Sequence, residues 1–360
     1  YIKEYNFGKG ELWSLIIPNV KGGKYDLIGN DKDLLKNVDA QYKQPIANQL
    51  RYWGEQRASG GAFYFGASLF LLFVLGMVFV KDPIKWAFLA VGLLAMMLSL
   101  KYSGLVDYFI YNFPLFSKFR DTKIMLFVTQ MVFPLLAALF LQQLVKKKEL
   151  MKPFLYTFGA VGGLLLIFYA IPTTFFNFFS RQELAQLNDQ MAQIQNNPQQ
   201  LSQFETFKSE LEGVRVSIFK TEVLRSFFFV LLTGGLVFAF LKTKLTKTYL
   251  LVGLSIVVLA DLWIVNKRYV NNEKKGKNYL RWVPKEQKNN PFRATPADIQ
   301  ILNMELKADN KLQKEVNQGI NTYFAENKID PRLRDVKKEQ IAFRELNSVT
   351  DYRVLPLDGT

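Results

Sequence analysis

Residues 101–123 read KYSGLVDYFIYNFPLFSKFRDTK, and they stand between two strongly apolar segments that can each cross a bilayer. The stretch is not a plain polar loop. Val106, Phe109, Ile110, Phe113, Leu115, Phe116 and Phe119 are apolar, Tyr108 and Tyr111 suit a membrane–water boundary, and Lys118, Arg120 and Lys123 gather at one end. Such a segment lies in the headgroup layer, aromatic side down, with its cations toward anionic headgroups. It is either the floor of a site that meets a phosphate-bearing lipid or an interfacial helix that anchors the loop. Both readings make the neighbouring apolar runs membrane spans.

Six runs approach the roughly 20 apolar residues a bilayer requires: 62–80, 84–100, 124–145, 153–171, 226–241 and 249–265. They predict an all-α integral membrane protein with about six transmembrane helices in this chain, outer-facing loops and the start of a soluble α+β tail. Gly76, Gly92, Gly234 and Gly253 lie inside these runs, where small residues allow helices to approach closely. Pro134 is expected to kink the third.

The composition agrees. With 49% hydrophobic residues and a mean hydropathy of +0.03, apolar spans are averaged with long polar segments. The net charge of +15 comes mostly from cations beside apolar runs, which fits membrane topology rather than nucleic acid. The chain has no Cys and no His, which removes thiol and imidazole catalysis and most zinc sites. There is no GxGxxG, P-loop or HExxH. No cofactor is called for, and a divalent cation stays open.

Short basic loops set the orientation. Lys81 and Lys85, then Lys146, Lys147, Lys148 and Lys152, then Lys242, Lys244 and Lys247 fall on one side, which the positive-inside rule makes cytoplasmic. Residues 1–61, 101–123, the loop after the fourth span and the tail are then on the outer side. Lys118, Arg120 and Lys123 run against this bias. The organisation is a periplasmic segment over 1–61, a transmembrane bundle over 62–266 with an extramembrane helical hairpin at 180–225, and a periplasmic soluble segment over 267–360. Both ends read as cut from a longer protein. The hairpin rests on two capping boxes, Ser180-x-x-Glu183 and Ser202-x-x-Glu205, around Asn196-Asn197-Pro198. In the tail, Thr295-Pro296-x-Asp298 opens a helix and 351–357 reads as a strand.

Almost no charge lies within a span. Asp261, near the outer end of the sixth, is the exception: it is a functional residue or a partner of Lys267 and Arg268. A charge relay is missing, which disfavours proton-coupled transport. The remaining outer-side candidates are Glu11, Glu55, Asp107, Lys118, Arg120, Asp121 and Lys123. Arg grips phosphate by a planar fork and Lys adds a point charge.

Gly8-x-Gly10-Glu11, Leu15-Ile16-Ile17-Pro18-Asn19, Gly22-Gly23, Tyr52-Trp53-Gly54-Glu55-Gln56, Phe113-Pro114-x-Phe116-x-Lys118-Phe119-Arg120 and Ala260-Asp261-Leu262-Trp263 follow one another in that order. Together they resemble the YfhO family of polytopic bacterial membrane proteins, which is similar to GT-C-type glycosyltransferases. The resemblance implies a many-helix enzyme of the bacterial inner membrane that uses a polyprenyl-phosphate sugar on the periplasmic side and transfers the sugar to a cell-envelope acceptor. It places the catalytic acid in a first outer loop upstream of Tyr1, so no catalytic residue is assigned. Lys118, Arg120 and Lys123 are then expected at the lipid phosphate and Trp53, Glu55 and Gln56 on the acceptor side, and Asp261 is counted with them as a substrate-binding candidate. The alternatives are a lipid-linked-sugar flippase, for which Gln130, Gln142 and Gln143 draw too thin a polar path, and a non-catalytic subunit that docks an envelope-complex partner through the Gln-rich hairpin.

Overall fold

The long apolar runs form helices that the N-terminal 61 residues cover at one end. A computed structural model describes residues 2–59, 61–118, 121–146, 150–243, 245–275, 278–279, 282–283, 294–327 and 334–349. The chain divides into two units, Tyr1–Val270 and Asn271–Thr360. In the first, α1 is Ala40–Ala47, α2 Ala67–Phe79, α3 Ile84–Leu98, α4 Gly104–Asn112, α5 Leu126–Lys146, α6 Met151–Ala170, α7 Pro172–Phe175, α8 Arg181–Ile194, α9 Pro198–Lys242 and α10 Lys247–Tyr269.

Four helices among the described residues are long and apolar enough to cross a membrane: α5 with its preceding turn (Thr122–Lys146), α6, α9 and α10. The sequence suggested about six. The other two apolar runs make shorter helices, α2 with 13 residues and α3 with 15. At 1.5 Å per residue they reach about 20 and about 22 Å, against roughly 30 Å of hydrocarbon. For α2 the reason is visible. It packs against α5, α6, α9 and α10, and Ala67, Ser68, Leu71, Leu72, Leu75 and Gly76 are buried. Irregular backbone ahead of it is tolerated because protein, not lipid, surrounds it. Gly76 makes the α2–α5 approach possible: a Cβ there would stand 2.5 Å from the Leu136 carbonyl oxygen.

Helix α9 runs for 45 residues, about 68 Å, and so joins the expected hairpin and the fifth span in one element. Its cap is Asn197, whose side chain accepts from the Gln200 N–H, with Pro198 at the first helical position. Ser202 and Glu205, read as a second capping box, lie inside it because the Asn-Pro start one turn earlier nucleates the helix first. The first box forms: Ser180 Oγ accepts from Glu183 N (3.1 Å) and Glu183 Oε2 from Ser180 N (2.9 Å).

The N-terminal segment meets the bundle at one end. Phe7 N donates to Ser99 O after α3, Phe65 N before α2 donates to Leu15 O, and Asn6 Nδ2 donates to Thr122 Oγ1 before α5. Trp13 stacks edgewise on Phe168 of α6, Ser226 Oγ of α9 donates to Ile16 O, and Tyr269 OH of α10 donates to Asn19 Oδ1. The helices alternate in direction, so Lys81 and Lys85, Lys146 and Lys152, and Lys242 and Lys247 lie at the other end. The segment turns sharply at Gly22 and Gly23, whose φ of 86° and 87° only glycine adopts at low cost.

The second unit, by itself, holds α11 (Pro296–Ala308), α12 (Asn310–Glu326) and α13 (Arg334–Val349) around Leu302, Leu312, Val316, Ala342 and Leu346. Thr295 and Asp298 cap α11 reciprocally. Among its described residues, one short strand pairing joins Lys274–Lys275 to Asn278–Tyr279. The expected strand at 351–357 lies outside the described residues, so the α+β character of the tail rests, among the described residues, on this short pairing beside three helices.

Candidate functional site

Glu11 organises the outer layer. It sits in the 3-10 turn Lys9–Leu15 and is 2% exposed. Its carboxylate accepts from Gly8 N (2.6 Å), Glu55 N (3.0 Å), Gln56 Nε2 (2.9 Å) and the Tyr52 hydroxyl. A buried carboxylate is tolerated only when so satisfied. Burial and this neighbouring carboxylate push the Tyr52 hydroxyl far above the ordinary phenol range, which keeps it a donor. Gly8 and Gly54 allow the approach: a Cβ on Gly54 would stand 2.2 Å from the Tyr52 hydroxyl oxygen and 2.4 Å from Glu11 Oε1. Burial pushes the Lys21 ammonium down to about 8, although Glu11 and Glu55 oppose the shift. Its Nζ donates to Asn177 O (2.5 Å).

The Tyr52–Gln56 stretch therefore splits by side-chain direction. Tyr52 and Gln56 serve Glu11. Trp53, expected on the acceptor side, is 1% exposed in the core, beside Phe178 and the Arg215 guanidinium. Glu55 is half-buried and turns to a cleft of about 630 Å³, lined among others by Tyr25, Arg57, Lys101, Tyr102, Arg181 and Gln186. Glu55 Oε1 accepts from Arg181 N (3.1 Å), Lys101 Nζ donates to Glu55 O (2.7 Å), and the Arg181 guanidinium lies 4.3 Å from the Tyr102 ring. Two other acids on the wall are already paired, Glu4 with Arg57 and Glu183 with Arg215.

Two of the three expected phosphate cations, Lys118 and Lys123, do not line this cleft. Lys123 Nζ donates to Gln56 Oε1 (2.6 Å) and stands 5.5 Å from the Phe7 ring. Lys118 is exposed on the 3-10 turn Phe116–Lys118, away from the cleft lining. Arg120 lies outside the described residues. Of the described residues in 101–123, Lys101 and Tyr102 line the cleft.

Asp261 is fully buried, and its partner is Arg225 rather than Lys267 or Arg268. Its Oδ1 accepts from Tyr64 OH (2.6 Å) and Arg225 Nη2 (2.9 Å), and its Oδ2 from Ser68 N (3.0 Å) and Ser68 Oγ (2.7 Å). Gly66 at the start of α2 has no side chain with which to cap, so Asp261 of α10 and the Tyr64 hydroxyl satisfy Ser68 N and Ala67 N. Arg268 instead pairs with Glu222 (2.5 Å), whose Oε1 also accepts from Asn19 Nδ2 (2.9 Å).

Arg215, Glu222 and Arg225 were missed from the sequence. Arg215 is fully buried, and its guanidinium donates to both Glu183 oxygens and to the Phe178 and Leu50 carbonyls. A signal existed: Arg215 and Glu222 fall in the apolar stripe Leu211, Val214, Ile218, Phe219, Val223. Among the described residues no three acidic side chains converge on a metal position. Comparison of the chain with protein families, with curated proteins and with solved structures finds no match.

Proposed function

We propose that this chain is part of a membrane glycosyltransferase that takes a sugar from a polyprenyl-phosphate carrier at the periplasmic face of a bacterial inner membrane and passes it to a cell-envelope acceptor. One observation carries the reading. The cleft beside Glu55 holds two cations, Lys101 and Arg181, that form no side-chain ion pair among the described residues, and its wall begins the aromatic stretch suited to a headgroup layer. A phosphate-bearing lipid and a polar acceptor have to meet at such a boundary. The resemblance to the YfhO family and the basic turns at the opposite end of the bundle support the same orientation.

The chemistry follows from the residues. An acceptor hydroxyl oxygen bonds to the anomeric carbon and releases its proton to water, the carbon–oxygen bond to phosphate breaks, and the electron pair leaves with the phosphate. Lys101 and Arg181 stabilise that growing anion. Glu55 and Gln186 accept and donate to hydroxyls, and the exposed rings of Tyr25 and Tyr102 offer apolar faces to a sugar.

The test is donor binding and transfer by the purified full chain in nanodiscs, with labelled polyprenyl-phosphate sugar. Arg181→Ala and Lys101→Ala should each remove a charge-assisted contact of roughly 1.5–3 kcal/mol, about a tenfold to hundredfold loss of donor affinity. Binding without transfer to envelope extracts would favour a carrier or flippase. Equal binding by wild type and both variants would remove the cleft from the donor site.

A further inference from the structure

Residues 104–125 are apolar on two faces. The inward face is Val106 and Phe116, 0% and 4% exposed, packed on Leu98, with Leu105, Phe109, Ile110 and Met125 around them. The outward face is Tyr108, Tyr111, Phe113 and Leu115, exposed by 62%, 82%, 56% and 76%. A third side is polar and tied down: Asp107 pairs with Lys3 (2.5 Å), Thr122 accepts from Asn6, and Lys123 donates to Gln56. The stretch therefore cannot turn its second apolar face inward without breaking these bonds.

A spanning helix follows the outward patch in the chain. Ile124, Phe127, Met131 and Leu135 recur at three- and four-residue spacing, all on the exposed face of the α5 segment. At the end of the outward patch, Leu115 adopts a φ of 64°, a left-handed conformation that side-chain-bearing residues rarely take. It turns Phe113 and Leu115 outward while Phe116 goes inward.

We infer that the outward face of 108–115 is a bilayer anchor, covered by lipid at the headgroup boundary. The exposed apolar face of the lipid-length α5, which follows it in the chain, selects lipid as its occupant, because clustered exposed apolar side chains are rarely left to water. The tyrosine hydroxyls reach the polar layer while their rings stay among acyl chains, and the exposed Lys118 stands at headgroup depth. Lys101 and Tyr102 precede this anchor directly, so it fixes how deep the cleft mouth sits. The inference is independent of sugar transfer and survives if the chain moves no sugar.

The Cys-free chain allows a direct test. Single cysteines replacing Tyr111, Leu115, Phe127 and Gln186 are spin-labelled in the full chain in nanodiscs of zwitterionic and anionic lipid. Collisions with oxygen and with a water-soluble nickel chelate are then compared. Sites 111 and 115 should favour oxygen as 127 does, whereas 186 should favour nickel. Nickel-favouring sites at 111 and 115 would overturn the anchor. Sites closed to both reagents would overturn it too, by placing a second copy or another protein on the patch. Site 127 reports insertion, so a chain that fails to insert is recognised before 111 and 115 are read.

Discussion

Asp261→Asn changes one atom and should be among the most damaging conservative substitutions in the protein. The four side-chain contacts of Asp261 are all donors: Tyr64 OH and Arg225 Nη2 on one oxygen, Ser68 N and Ser68 Oγ on the other. An asparagine must turn its NH2 toward one of these pairs, so at least one hydrogen bond is lost whichever way it flips, that of Ser68 N or that of Arg225 Nη2, because neither of these can turn to accept. Arg225 is left without its counter-charge. Removing one partner of a buried pair costs roughly 3–5 kcal/mol. The low end applies, since Arg225 keeps 12% of its side-chain surface and reaches some water. Adding Arg225→Met to Asp261→Asn removes the stranded cation as well, while the side-chain carbonyl at 261 still accepts from Ser68 N, and should recover part of the loss. The measurement is equilibrium denaturation of the purified full chain in one detergent, with tryptophan fluorescence as the probe. A D261N midpoint matching wild type would refute this account, and so would a double variant no better than the worse single one.

Gly76→Ala should destabilise the bundle, because its Cβ would meet the Leu136 carbonyl at 2.5 Å, while Gly163→Ala, with nothing within 4 Å, should be neutral or slightly stabilising; equal thermal stability of the two variants would refute the close α2–α5 contact. The Lys21 ammonium falls from 10.5 to about 8 on folding, so between those values the unfolded chain holds a proton that the folded chain has released, and stability should rise with pH from about 8 to 10.5. Lys21→Met should flatten that rise, and an unchanged slope in pH-dependent denaturation would show that Lys21 is not its source. For topology, cysteines at Lys81 and Gln195 should react oppositely with an impermeant thiol reagent in cells whose outer membrane is permeabilised, with only the Gln195 site labelling; labelling at Lys81 alone would invert the orientation.

The membrane character was legible because apolar runs are a local property of the sequence. Span length was less so. Residues 62–80 read as one run, yet Gly66 has a φ of 111° and the helix starts only after it. Residues 198–242 read as two elements because the composition changes near Arg225. The backbone does not register that change: no proline follows Pro198 inside α9. The site was legible as motifs and not as directions. Glu11 and the Tyr52–Gln56 stretch were both visible, but their pairing spans about forty residues, and no local rule says that Trp53 enters the core while Glu55 faces a cleft. Asp261 was found because a carboxylate in an apolar run is conspicuous. Arg225, its partner, stood at the charged border of a run and looked like an ordinary flank.

Helix α9 explains why buried charges recur here. Its apolar stripe repeats every turn, so apolar packing alone distinguishes poorly between one register and the next, about 5.4 Å away. Ion pairs do not repeat. Arg215 fixes α9 to the first turn of α8 through Glu183, Glu222 fixes it to Asn19 and to Arg268 of α10, and Arg225 fixes it to Asp261 and through Tyr64 to the start of α2. A slip by one turn would leave three buried charges without partners, each far costlier than a displaced leucine. The cleft depends on this register, since Arg181 stands two residues before Glu183 and meets Glu55 only when Arg215 holds Glu183 in place. The residues that shape the cleft therefore include one, Arg215, that is fully buried and does not line it.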